Sequence, residues 1–425
     1  MEERKDIIQS LSDNFAILKG LLEGKSDGVS VFEYLGPYFD KANATQQSGD
    51  KLAWINFGVM PELFWAMDMT PIVVDSLTGA ISGLGEAMKY IDIAEQHIPD
   101  YLCSNNKILL GAALAGDLRL PSIMVHPSHP CDSNMATYPH MAEHFGYPYY
   151  LIDMPYFRNE RSIEYTAREL GNLIPVLEDL TGRKLDFDKL RQVMEYSNQA
   201  QEYVLKLNHI RQQVPSPYPS LDMITEYGLL MNMAGTPELV EYLSKKYEWA
   251  KGKVDKGEGH LPEEKYRLVW IYGAVTFDMG IFNWLEREYG AVSVSHMNNN
   301  WTMNPVEDIS TLDGILKGWA QKIENLPMTK ECGGPWENYL NAAMALCKDY
   351  KADGAIFAGH MACKSNWAIA KMVKDRIQDE AGVPVLNIQL DLFDPRITSA
   401  ETIKGMLNNF MTTIMENKKG RGSPC

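Results

Sequence analysis

Residues 352–360, ADGAIFAGH, and residues 384–394, PVLNIQLDLFD, are two apolar runs on either side of the amphipathic segment SNWAIAKMVKDRIQDEAG at 365–382. Short apolar runs that alternate with amphipathic segments are typical of parallel strands joined by helical crossovers. Two more apolar runs, YRLVWIYGAV at 266–275 and AVSVSHM at 291–297, precede this pair. The C-terminal third therefore predicts an α/β unit built on a parallel sheet.

The same alternation occupies the N-terminal part of the chain. The runs that we predict as strands there are WINFG at 54–58, PIVVD at 71–75, YLCS at 101–104, SIMVHP at 122–127 and YYLIDM at 149–154. Long charged amphipathic stretches indicate helices across 160–260, and helical spacing of apolar side chains marks the first forty residues. The predicted divisions are a helical segment at 1–45, a first α/β domain at 46–160, a helical middle region at 161–262 and a second α/β domain at 263–418.

The composition limits the partners and the compartment that we expect. The 425 residues include 40 lysines and arginines against 56 aspartates and glutamates, a net charge of -16, and no basic cluster offsets this excess. Nucleic acid is therefore not an expected partner. The sequence shows neither an apolar export signal near its start nor a long uncharged apolar stretch, so we expect a cytoplasmic protein that does not cross a membrane.

Six cysteines are too few for a disulfide framework in a chain of this length, so thiolate chemistry or burial must explain them. Three of them, Cys103, Cys131 and Cys363, share one context, the end of a predicted strand just before a helix. In open α/β sheets ligands bind beyond the carboxyl ends of the strands, where helix N-termini stabilise thiolates. We predict a metal centre in the cleft between the two α/β domains, with three protein ligands and one open position. The alternative is that each cysteine is a small buried hydrophobe.

The other three cysteines give weaker signals. Cys347 falls on the apolar face of WENYLNAAMALCKDY with Leu340 and Met344, which favours core packing. Cys332 lies in the predicted loop TKECGGPWEN, and this sequence context does not indicate a role for it. Cys425 lies in a tail without apolar periodicity and is a poor ligand candidate.

A second kind of metal site has to be weighed. The segment from His140 to His144 matches the H-x-x-E-H pattern of one class of metal hydrolases, but no partner carboxylate is identifiable. A zinc site made of cysteine and histidine is the broader form of this alternative. Analysis for zinc against iron with inorganic sulfide separates it from the cysteine-based centre.

Five segments, from about Trp54 to the last helix, resemble the 2-hydroxyacyl-CoA dehydratase and benzoyl-CoA reductase family. They are MPELFWAMDMTPIVV at 60–74, YLCSNNK, HPCDSN, GHMACKSN and the closing PVLNIQLDLFDPRITSAETIKGML. The order and spacing of these segments make the resemblance specific. It implies two flavodoxin-like (Rossmann-like) α/β domains with a 4Fe-4S cluster between them, held by Cys103, Cys131 and Cys363.

The same resemblance implies a function and a set of partners. The chain would be one subunit of a heterodimer that removes water from a 2-hydroxyacyl-CoA, after an ATP-dependent iron-sulfur activator protein supplies one electron. That electron would convert the thioester carbonyl into a ketyl radical anion, which expels the α-hydroxyl group. A benzoyl-CoA-type reductase subunit and an electron-relay subunit without its own substrate are the alternatives. The acyl group itself is marked by no motif.

Residues near the cysteine segments are the candidates for binding and catalysis. His360 lies three residues before Cys363, and Glu62 follows the predicted strand WINFG and is expected to point into the cleft. A buried structural role is the alternative for His360. Gly79, Gly83 and Gly85 in TGAISGLGEA are expected to form a flexible loop that CoA or the substrate approaches.

Overall fold

The structure is a computed structural model that describes residues 6–22, 29–48 and 50–415. The tail with Cys425 lies outside the described residues. Within the described ranges, each helix is either too short or too polar to pass through a lipid bilayer.

The described part of the chain forms two sets of strands separated by helices. The strands are β1 (Leu52–Ile55), β2 (Thr70–Val73), β3 (Ile123–Pro127), β4 (Tyr149–Ile152), β5 (Tyr266–Ile271), β6 (Ala291–His296), β7 (Gly354–His360) and β8 (Val385–Leu390). The helices are α1 (Ile7–Leu22), α2 (Phe32–Ser48), α3 (Glu62–Ala66), α4 (Val74–Gly83), α5 (Ala87–Ala94), α6 (Ser104–Ala115), α7 (Asp132–Phe145), α8 (Glu160–Thr181), α9 (Phe187–Arg211), α10 (Asp222–Met233), α11 (Pro237–Asp255), α12 (Gly280–Tyr289), α13 (Leu312–Glu324), α14 (Thr329–Cys332), α15 (Trp336–Asp349), α16 (Lys364–Trp367), α17 (Ala370–Arg376) and α18 (Ala400–Asn409). A short 3-10 turn, Met297–Asn299, and two π-helical segments, Ile377–Ala381 and Phe410–Met415, complete the elements.

The strands form two parallel sheets, with the orders β2-β1-β3-β4 and β6-β5-β7-β8. All strands except the edge strands β4 and β8 are buried along their whole length, as expected for apolar runs covered by helices on both faces. The predicted α/β class with two parallel sheets is confirmed. One predicted strand is wrong, because residues 101–104 form a turn and the first residue of α6.

Each sheet has a point at which the strand order reverses. From β1 the chain moves outward to β2 and then crosses to β3 on the other side of β1, and β5, β6 and β7 repeat this path. The loops that leave the carboxyl ends of β1 and β3 therefore diverge, as do those of β5 and β7, and such a reversal is the usual binding crevice of an open α/β sheet. Two crevices of the same kind are available to this chain.

Long helices account for the predicted middle region. Helix α8 begins with a capping box, in which the Asn159 side chain accepts hydrogen bonds from the Arg161 and Ser162 backbones and the Ser162 hydroxyl bonds back to Asn159. It ends at Gly182, whose φ of 68° suits a glycine C-cap. The region through α11 is helical as predicted, and α1 and α2 form the N-terminal helical segment. The exact domain boundaries stay predictions.

Candidate metal centre

One large cavity lies beside the reversal points of both sheets. Its volume is about 370 Å³, and its wall includes residues that closely follow four strands: Phe57 after β1, Cys131 after β3, Tyr272 after β5 and Cys363 after β7. Cys103 and Cys332 also line it. We call this space the cysteine cavity. The structure therefore brings the three predicted ligands Cys103, Cys131 and Cys363 together at one cavity, along with a fourth cysteine.

The three predicted ligands share a local geometry. Cys103, Cys131 and Cys363 are the N-cap residues of α6, α7 and α16. Helices α6 and α7 are 12 and 14 residues long, so their positive N-terminal dipole ends lie beside Cys103 and Cys131. A thiolate or an anionic cluster is stabilised in this position.

Backbone strain is concentrated at this cavity. Five described residues other than glycine have positive φ angles, and three of them line the cavity: Cys131 at 101°, Tyr272 at 80° and Met328 at 69°. Such conformations cost on the order of 1–3 kcal/mol each and persist only where the surrounding structure holds them. The clustering indicates that the surrounding structure holds these three residues in place despite their unfavourable backbone angles.

His360 is buried and contacts Cys103 directly. Its Nε2 lies 3.1 Å from Cys103 Sγ, and its Nδ1 accepts a hydrogen bond of 3.2 Å from the Leu392 backbone N–H. Because Nδ1 is an acceptor, the ring proton belongs on Nε2, which then donates to the Cys103 sulfur. The Cys103 backbone N–H donates in turn to the Ser133 hydroxyl at 3.1 Å. His360, the predicted helper, is thus in a position to orient the Cys103 side chain.

Cys332 and Tyr272 are members of the site whose roles sequence reasoning missed. Hydrogen bonds from Cys332 and Tyr272 lower the pKa of Cys363 to about 6. Burial raises the pKa of Cys131 to about 12, and burial together with the neighbouring Cys131 raises that of Cys103 well above its usual value. These shifts favour the thiolate form at Cys363 and the protonated form at Cys131 and Cys103. Cys332 ends α14 just before two glycines and a proline, a pattern that indicates a loop and nothing more. Tyr272 follows β5 directly, and this position was the signal that could have identified it.

A buried carboxyl group also lines the cavity. Asp75, near the start of α4, accepts hydrogen bonds from the Phe57 backbone at 3.0 Å and from Asn56 Nδ2 at 2.9 Å. Burial raises its pKa to about 7. A carboxyl group with this pKa exchanges protons near neutral pH, as general acids and bases do.

Glu62 lies elsewhere. It is fully buried at the start of α3, accepts a hydrogen bond of 2.6 Å from the Ser197 hydroxyl and forms an ion pair of 3.3 Å with Lys322. It is absent from the wall of the cysteine cavity. The structure thus gives Glu62 a part in joining α3, α9 and α13 and does not place it in the cleft.

The glycine segment is helical where a loop was expected. Gly79 and Gly83 belong to α4 and line the cavity, so the prediction of a flexible loop is wrong for them. Gly85 follows the helix with a φ of 78° and does not line the cavity. Cys347, in contrast, is 2% exposed and packs in the core of the second sheet, as predicted.

The donor set distinguishes between kinds of metal site. His140 and His144 are exposed on α7 and do not line the cavity. Among the described residues, no three His, Cys, Asp or Glu side chains are arranged to hold a single ion. Cys103, Cys131, Cys332 and Cys363 all line the cysteine cavity, and thiolates are the usual ligands of iron-sulfur clusters. The residues present therefore fit an iron-sulfur cluster.

Comparison with known proteins identifies relatives along most of the chain. A sequence profile of the family described as 2-hydroxyglutaryl-CoA dehydratase, D-component, matches residues 57–414. The chain is 20% identical to the (R)-phenyllactyl-CoA dehydratase alpha subunit of Clostridium sporogenes, over 83% of this chain and 86% of that protein. It is 23% identical to one of the subunits of benzoyl-CoA reductase from Thauera aromatica, over 93% and 96% of the two chains. It is also 20% identical to the (R)-2-hydroxyisocaproyl-CoA dehydratase alpha subunit of Clostridioides difficile, over 93% and 98%.

Proposed function

Because this chain belongs to the 2-hydroxyglutaryl-CoA dehydratase D-component family, we propose that it is a subunit of an iron-sulfur dehydratase that removes water from a 2-hydroxyacyl-CoA. The observation that carries the proposal is the convergence of Cys103, Cys131 and Cys363 on one cavity beside both sheets. These three thiolates would hold a 4Fe-4S cluster. When bound, the cluster supplies one-electron chemistry and a Lewis-acidic iron.

The chemistry of the substrate explains why one electron is needed. A 2-hydroxyacyl thioester loses water only if a β-proton leaves, and that proton is hardly acidic. One electron added to the thioester carbonyl gives a ketyl radical anion, which expels the α-hydroxyl group as hydroxide and makes the β-proton far more acidic. The electron is recovered after the proton has left, so the products are the enoyl thioester and water, and no reductant is consumed.

Two residues of the cavity have proposed roles in this reaction. The His360 Nε2–H donates to the Cys103 sulfur and holds that side chain in place. Asp75 is buried, faces the same cavity and has a pKa of about 7, so a fraction of it is protonated near neutral pH. We assign to it the donation of a proton to the departing hydroxide, after which its carboxylate would accept the β-proton and return to its starting protonation state.

The proposal includes two protein partners. The relatives from Clostridium sporogenes and Clostridioides difficile are named alpha subunits of dehydratases, so a second dehydratase subunit is expected for this chain. The single electron would come from an ATP-dependent iron-sulfur activator protein, as the family resemblance implies. The exposed side chains of Tyr101 and Lys364 lie at the cavity wall and therefore at the surface that such partners would approach.

Purification without oxygen, together with the partner subunit, tests the proposal. The expected protein contains iron and inorganic sulfide in equal amounts and eliminates water from at least one member of a 2-hydroxyacyl-CoA panel once the activator and ATP are added. Cys131→Ala should lose most of the iron, whereas Cys347→Ala, which changes a buried cysteine outside the cavity, should keep it. Zinc without sulfide, or full iron content in Cys131→Ala, would contradict the proposal.

A reductase is the second candidate, because the benzoyl-CoA reductase relative is 23% identical to this chain over 93% of its length. A dehydratase returns its electron, while a reductase consumes electrons in proportion to product. Measuring reductant used per product formed therefore separates the two. If thioesters cause no spectral change of the cluster in this subunit, an electron-relay role replaces both.

A further inference from the structure

The wall of the cysteine cavity has a second, apolar part. It is formed by side chains of α1 and α2 with contributions from the end of α4 and from α10: Phe15, Leu18, Phe32, Leu35, Phe39, Leu84 and Ile224. The ring of Phe15 stacks on Phe32 with centroids 5.6 Å apart, and it lies 5.5 Å from Phe39. Helix α1 and helix α2 thus present an aromatic and aliphatic surface to the space that the cysteines also face.

Small residues on α4 leave room beside this surface. Gly79, Ala80 and Gly83 all line the cavity. A Cβ atom at Gly79 would approach nothing closer than Thr276 Cγ2 at 4.0 Å, and one at Gly83 would meet the Thr276 carbonyl at 3.5 Å. A methyl group at either glycine would thus reach ordinary van der Waals contact with Thr276, so the small residues keep α4 from narrowing the cavity.

The charges in the cavity wall are unfavourable for an anionic group. Asp75 and Asp132 are its carboxylates, and within the described wall Lys364 is its one lysine and arginine is absent. Lys364 is already paired with Asp132 at 3.1 Å in an exposed position. His296 does not attract an anion either, because burial lowers its pKa to about 4 and leaves the ring neutral. A second carboxylate on a ligand would find no free cation here and would be costly to bury.

We infer that the acyl group accepted by this subunit carries an uncharged, bulky apolar side chain, branched aliphatic or aromatic, that packs against Phe15, Leu18 and Phe32. The inference rests on the proposed function and narrows its substrate class. Small 2-hydroxyacyl groups leave the apolar wall in contact with water, and acyl groups that end in a carboxylate place a charge beside Asp75. Both are disfavoured against a tail that fills the space.

Binding of thioesters that lack the hydroxyl group tests the inference, because no turnover then complicates the measurement. The anaerobically purified protein with its partner is titrated with propanoyl-CoA, 4-methylpentanoyl-CoA, 3-phenylpropanoyl-CoA and glutaryl-CoA in a calorimeter. The two apolar tails should bind about 15- to 60-fold more tightly than propanoyl-CoA, as the burial of two or three of their additional carbon groups predicts. Glutaryl-CoA should bind no more tightly than propanoyl-CoA.

A matched pair of variants on α1 sharpens the test. Leu18→Arg introduces a cation into the cavity wall, whereas Ile17→Arg places one on the solvent side of the same helix, where Ile17 is 59% exposed. Leu18→Arg should weaken the apolar thioesters at least tenfold and strengthen glutaryl-CoA, and Ile17→Arg should behave as the wild type.

The outcomes separate the two proposals. If all four thioesters bind with equal affinity, or if glutaryl-CoA is preferred by the wild type, the tail inference is overturned while the proposed function stands. A folded Leu18→Arg protein with an unchanged preference overturns it equally. If no thioester binds and no iron is found, the proposed function fails and the inference fails with it. The titration of the wild type decides the matter even if Leu18→Arg does not fold.

Discussion

Replacement of His360 by leucine should make the proposed cluster harder to reduce. The change removes the Nε2–H that lies 3.1 Å from Cys103 Sγ in a site where His360 is 1% exposed. A hydrogen bond to a charged group contributes about 1.5–3 kcal/mol, and the bond strengthens when reduction adds negative charge to the sulfur. If about 1–2 kcal/mol of this is gained only in the reduced state, the midpoint potential of the variant falls by about 40–90 mV, since about 59 mV corresponds to a tenfold change for one electron.

The assay is a redox titration of the anaerobic protein followed by electron paramagnetic resonance. Phe393→Leu is the matched control, because the Phe393 ring lies 6.0 Å from the His360 ring edge-on and its removal disturbs packing without touching the N–H donor. The control should shift the potential little. An unchanged midpoint in His360→Leu, or an equal shift in Phe393→Leu, would refute the reasoning about the hydrogen bond, and a wild type without a cluster would instead refute the proposed function.

Three further predictions concern the protein with no metal bound. Because burial raises the pKa of Asp75 to about 7, the wild type should lose about 2–3 kcal/mol of stability relative to Asp75→Asn as the pH rises from 5 to 8, measured by urea unfolding; parallel curves would contradict this. Lys322→Met leaves the buried Glu62 carboxylate without its cation and should cost about 3–5 kcal/mol in the same assay, while Lys322→Met combined with Glu62→Gln should recover a part of that loss. Cys332→Ala removes a hydrogen bond that lowers the pKa of Cys363, so alkylation of Cys363 by iodoacetamide at pH 7, followed by mass spectrometry, should slow; an unchanged rate would show that Cys332 does not act on Cys363.

The parallel sheets were predictable because their strands are short apolar runs in a helical background. β5 and β7 are buried on every residue, and a strand covered on both faces is apolar along most of its length. The run at 101–104 has too few residues for this argument, and its Leu102 and Cys103 belong to the turn before α6. A run of that length does not distinguish a strand from the start of a helix.

The contents of the site were predictable only where sequence position implies position in space. Cys131 follows β3 of the first sheet and Cys363 follows β7 of the second, and ligands of open α/β sheets bind beyond the carboxyl ends of the strands. Cys332 reaches the same cavity from α14, which packs there through tertiary contacts that no local pattern records. The prediction that Glu62 points into the cleft was wrong because Glu62 is held by Lys322, which is 260 residues away in the sequence. The prediction of a loop at Gly79 was wrong because tertiary packing overrides the low helix propensity of glycine.

Helices α1 and α2 precede both sheets in the chain, yet they supply most of the apolar wall of a cavity whose thiols come from the loops of those sheets. The chain thereby divides two tasks between separate stretches of sequence. An exchange of residues 7–48 with the corresponding helices of a relative would change which tails fit and leave every thiol in place. Under the proposed function, a change of acyl preference could then be made by substitutions in α1 and α2, without any change in the segments that carry the thiols.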